Sequence, residues 1–64
     1  MSEADEIAAN IAARLKAGTV PTDMDKARDT VRQFMPHDTS AVMIDNVAWS
    51  LTLCGKSLES PFKE

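Results

Sequence analysis

One cysteine, one histidine and two glycines are all that this 64-residue chain offers of the residues that staple small folds, bind metals or cradle phosphates. Cys54 has no second cysteine to join, so no disulfide forms within one chain. With His37 as the other soft donor, a four-ligand zinc site cannot be assembled either. The glycines, Gly18 and Gly55, sit singly at expected helix ends, which leaves no glycine-rich loop for a nucleotide. The stretch Asp23-Met24-Asp25 begins like a calcium loop, but the obligatory glycine position falls on Arg28 and the match fails. The longest run free of charge, Asn46 to Gly55, is ten residues, about half of what crosses a bilayer. Glu3, Asp5 and Glu6 stand where a signal peptide carries basic residues. The expectation is an intracellular, cytoplasmic protein with no cofactor, no metal and no membrane partner. No repeat period fits in the length and no segment is of low complexity.

What is present is helix signal, three times over. Ser2 with Asp5 three residues later resembles a capping box, and the acids at 3, 5 and 6 suit a helix N-terminus. Ala4, Ile7, Ala8, Ile11, Ala12 and Leu15 then recur at spacings of three and four, with Arg14 and Lys16 toward the end and Gly18 as the stop. A second start lies at Thr22, which can cap by accepting from the amide three residues on, with Asp23 and Asp25 in the first turn. Met24, Ala27, Val31 and Phe34 mark its inner face, and Asp25, Arg28, Asp29 and Arg32 alternate in sign on a face expected to be solvated. Pro36 restricts Met35 and ends this helix.

The third segment follows Asp38, Thr39 and Ser40, each competent as an N-cap, and carries Gly55 as its expected C-terminal stop. On a helical wheel Met43, Ile44, Val47, Ala48, Leu51 and Cys54 share one broad face, while Val42, Trp49 and Leu53 lie nearly opposite. Asp45 with Thr52, and Asn46 with Ser50, make two polar strips between them. Its length and lack of alternation argue against a strand. The predicted architecture is all-α: one domain over residues 1–64, a compact unit of three helices at about 3–17, 23–35 and 40–54, with a short C-terminal tail.

No residue pattern supports catalysis. His37, Asp38 and Ser40 are too close in sequence for a triad and are accounted for by capping, and Cys54 falls on the apolar face of the third helix. The chain is read as no enzyme. Three short helices also suit a helix-turn-helix DNA binder, the alternative reading, but no Lys or Arg lies between Ala41 and Gly55. Phosphate contacts need such charges, and a net charge of −3 adds nothing to them.

By elimination, the function expected is protein–protein interaction: a small acidic regulator, adaptor or inhibitor that occupies a partner protein's surface. Small proteins of phages and other mobile elements often have this form, by analogy only, and a structural subunit of a larger assembly is a further alternative. A 64-residue core is small, and dimerisation joins two inadequate cores into one. A homodimer is therefore expected, with Val42, Trp49, Leu53, Leu58 and Phe62 as its candidate interface, Leu58 and Phe62 coming from the tail that is the other candidate cover for Trp49.

The absence of staples makes a first prediction. Neither excess reductant nor EDTA is expected to reduce the helical circular-dichroism signal; a marked loss with EDTA overturns this account of His37, Cys54 and the acids.

Overall fold

The three start signals become three α-helices in the computed structural model, which describes residues 2–59 and, within them, all side chains but those of Ala17, Leu58 and Glu59. In chain order these are α1 (Glu3–Arg14), α2 (Met24–Phe34) and α3 (Ala41–Glu59), with a 3₁₀ turn at Ala17–Thr19 between the first two. No strand occurs among the described residues.

Each helix is opened by a side chain. Ser2 accepts from the Asp5 amide and Ser40 from the Met43 amide, as expected for N-caps. At α2 the cap is Asp23, which accepts from the Asp25 amide, where the sequence had favoured Thr22. Asp23 has the extended backbone that a cap requires (φ −122°, ψ 144°), and a carboxylate is also the better partner for a helix N-terminus.

α1 stops at Arg14, earlier than the expected residue 17, because Leu15 and Lys16 are extended. The amide and hydroxyl of Thr19 both donate to the Lys16 carbonyl and close the 3₁₀ turn. This early exit brings Val20 back into the core, where it is buried. At the end of α2, Met35 takes an extended conformation ahead of Pro36. Met35 packs against the core, whereas Phe34 remains 41% exposed. The inner face of α2 centres on Ala27 and Val31, both fully buried, and Phe34 falls at its edge on the last turn.

α3 is the hub. α1, α2 and the 3₁₀ turn all pack against it. The core consists of Ala8 and Ile11 from α1, Val20 from the end of the 3₁₀ turn, Ala27 and Val31 from α2, and Val47, Ala48 and Leu51 from α3. Alanines at three of these eight positions bring the helix backbones close together.

The clearest departure from expectation is at Gly55. It does not end α3, which continues through it to Glu59. A Cβ at Gly55 would press into the carbonyl oxygen of Pro21 and lie 3.0 Å from that carbonyl's carbon and 3.1 Å from Thr22 Cγ2. The glycine is thus the groove in α3 through which the linker into α2 passes. In a helix interior a glycine costs roughly 0.5–1 kcal/mol relative to alanine, and the close backbone crossing is what requires it here. Gly18, by contrast, has open space around it.

These two glycines respond oppositely to alanine. Gly55→Ala is expected to destabilise the fold by about 1–3 kcal/mol through overpacking against Pro21, despite the gain in helix propensity. Gly18→Ala is expected to be neutral or stabilising by up to about 1 kcal/mol. Urea midpoints of the two variants check this, and a Gly55→Ala protein as stable as wild type sinks the crossing argument.

Candidate interaction surface

The inner arc of α3 takes up more of the helix than its apolar residues alone require. Ser50 and Thr52, one in each of the polar strips between the two apolar faces, are buried at 8% and 2% exposure. Each has its hydroxyl satisfied: Thr52 donates back to the Trp49 carbonyl at 2.6 Å, and Ser50 donates across to the Asp5 carboxylate at 2.6 Å. A buried hydroxyl so paired avoids the desolvation cost that otherwise keeps it outside. The link from residue 50 to residue 5 also assigns Asp5 two roles, since this N-terminal acid of α1 fastens α1 to α3.

On the other flank, Arg28 Nε donates to Asp45 Oδ1 at 2.8 Å, and Nη1 lies 3.3 Å from Asp25 Oδ1. The pair joins α2 to α3 and raises the guanidinium's already high pKa, first through the hydrogen bond to Asp45 and then through its charge. Arg28 therefore departs from the purely solvated face expected of it.

With both strips engaged, what α3 leaves outside is narrow. Val42, Trp49 and Leu53 are 71%, 56% and 48% exposed. At roughly 100° per residue they fall within roughly 40° of one another. Asp45 and Lys56 border this stripe on one side, Asn46 and Ser57 on the other, and all four are exposed. Of the other expected interface residues, Leu58 stands in the last turn of α3 with its side chain outside the described set, and Phe62 lies outside the described residues altogether.

Beside Leu53 the surface dips into an open groove of about 650 Å³ between α1 and α3, lined mainly by Ala9, Ala12, Ala13, Leu15, Leu53 and Cys54. Sequence reasoning placed Cys54 in the core face, and it is half-buried there against the core cluster. The groove itself was not foreseen; the exposed pair Ala9 and Ala13, four apart on α1, is its only trace in the sequence. No group of three or more His, Cys, Asp or Glu side chains is gathered as a metal site among the described residues. No helix among them is long and apolar enough to cross a membrane. No protein-family model, curated protein or solved structure matches the chain.

The Asp5–Ser50 bond carries a pH signature. The Ser50 hydroxyl, and after it the Ser2 side chain, hold the Asp5 carboxyl below its ordinary value. A depressed folded-state pKa gives stability that is present above the unfolded value of about 3.9 and is lost as pH falls through the folded one. Wild type is thus expected to be more stable than Asp5→Asn at neutral pH, with the difference shrinking progressively below about pH 4. Thermal midpoints of both proteins across that range test it, and Ser50→Ala should move the NMR titration midpoint of Asp5 back toward the ordinary value.

Proposed function

We propose that this chain is a protein–protein interaction module whose contact surface is the outer stripe of α3, serving a regulatory, adaptor or inhibitory role by covering, and being covered by, another protein surface. The observation that carries this reading is the exposure of Trp49, at 56%, between Val42 and Leu53 on a helix whose Met43, Ile44, Val47, Ala48, Leu51 and Cys54 are packed in or against the core. Scattered apolar residues on a surface need no explanation, but a tryptophan aligned with two aliphatic residues does. Tryptophan is the residue type most concentrated at energetic centres of interfaces, where neighbouring aliphatic and polar groups exclude water around it. The setting fits that role. Asp45, Asn46, Lys56 and Ser57 form a polar rim, and the stripe rides on the helix that both others hold in place.

A photoreactive residue at position 53 tests this in the native cell. It is expected to give covalent adducts to another polypeptide, whereas the same group at Lys26, on the exposed side of α2, gives none. Trp49→Glu should weaken the contact by about 30-fold or more, the scale of losing a hot spot of about 2 kcal/mol, while leaving the helical signal intact. Adducts no more abundant at position 53 than at position 26, or unaffected by Trp49→Glu, overturn the reading.

A further inference from the structure

We infer that the occupant of the α3 stripe is a second copy of this chain, packed antiparallel about a two-fold axis that passes midway between residues 50 and 51 of α3. This rests on the reading of the stripe as a contact surface and adds its occupant and orientation.

The two borders of the stripe differ in charge. One edge of the stripe carries both of its charges, Asp45 and Lys56, and the other edge is neutral, with Asn46 and Ser57. A parallel two-fold pair sets the charged edge against the neutral one, Asp45 level with Asn46 and Lys56 level with Ser57, and pairs no charge. An antiparallel pair sets each edge against its own copy running the opposite way. Asp45 then comes level with the second copy's Lys56, and Lys56 with the second copy's Asp45, at one position of the axis only. Both charges are accessible. Arg28 Nε takes only Oδ1 of Asp45, whose side chain is 55% exposed, which leaves Oδ2 open. Lys56 is exposed and pairs with no acid among the described side chains.

That register was set by charge alone, yet it also solves the apolar packing. Trp49 lies within one residue, about 1.5 Å of helical rise, of the second copy's Leu53. Trp49 leans toward the charged edge and Leu53 toward the neutral edge, so the two sit side by side across the seam without collision, as in the mixed layers of antiparallel helix pairs. The two Trp49 residues lie about three residues apart along the axis, near enough for offset contact of their rings. Val42 caps the hydrophobic seam at both ends. Because Asp45 and Lys56 cancel within each edge, bringing two acidic chains together adds little repulsion at the contact itself.

Sedimentation equilibrium of the full chain across a wide dilution range is expected to show twice the 7.0 kDa chain mass, and only the chain mass for Trp49→Glu. Lys56→Asp and Asp45→Lys should each weaken the dimer by roughly tenfold or more, and the double reversal should restore it. Asp45→Lys also removes the Arg28 contact, so a second measurement avoids that ambiguity. In a Cys54→Ser background, Asp45→Cys with Lys56→Cys is expected to oxidise to a covalent dimer. Their separation along one helix, roughly 16 Å, forbids closure within a chain. Asp45→Cys alone should not cross-link. A chain of single mass at every concentration, a dimer indifferent to Trp49→Glu, or charge reversals that fail to rescue each other overturns the inference. A monomer that still forms position-53 adducts with a different polypeptide retires the second copy and leaves the contact-surface reading standing; absence of both retires both.

Discussion

Everything in this fold depends on α3 serving as the packing partner of two helices at once. α1 and α2 gain their cover from it, and the turn between them is pinned to it as well. A helix asked to do this must bury a wide arc, and α3 buries Val47, Ala48, Ser50, Leu51, Thr52 and Gly55. Two of those six carry hydroxyls and one has no side chain. Each exception has a local cause: a bond to Asp5, a bond to the helix's own backbone, and the crossing of Pro21. Removing either bond leaves a buried hydroxyl without a partner, and adding a Cβ at Gly55 makes a backbone clash, so the arc is held by geometry as much as by apolar area.

Two polar links act at the flanks of that arc. Asp5 to Ser50 joins α1, and Arg28 to Asp45 joins α2. Neither is deeply buried, and exposed ion pairs add little to stability on average. Their effect is better sought in orientation. Alanine-rich contacts at Ala8, Ala27 and Ala48 are smooth and tolerate sliding, whereas a hydrogen bond of 2.6 Å between residues 45 positions apart admits one alignment of α1 on α3.

The helices, their number and most of their inner faces were legible because capping residues and three-and-four spacing are local signals. Ser2 read correctly for that reason, Ser40 was one of three competent caps, and the burial of Ile11, Val31, Val47 and Leu51 followed from the spacing. What was illegible was non-local. Gly55 reads as a stop to any argument confined to its neighbours, since the Pro21 carbonyl that requires it lies 34 positions away. Ser50 and Thr52 read only as members of polar strips, with nothing local to give the depth of either, and Arg28 was assigned to water because its partner is on another helix. The exposure of Val42, Trp49 and Leu53 is the case in which the wheel and the structure agree, since that face is the one left when both neighbours have docked.

A chain of this length exposes a large share of its surface, so leaving a tryptophan outside is costly in a way that it is not for a larger domain. Nothing in the local structure demands an indole at position 49. Its carbonyl receives the Thr52 hydroxyl, a service any residue provides, and α3 would form as readily with a polar residue there, as Asn46 shows one turn earlier. Gly55, Ser50 and Asp5 can all be derived from what the monomer needs to close on itself. For Val42, Trp49 and Leu53 the described residues give no such derivation. On the proposed reading, their alignment between a charged edge and a neutral one serves a helix that meets a second surface, and an edge holding one acid and one base eleven positions apart is complementary to its own reverse.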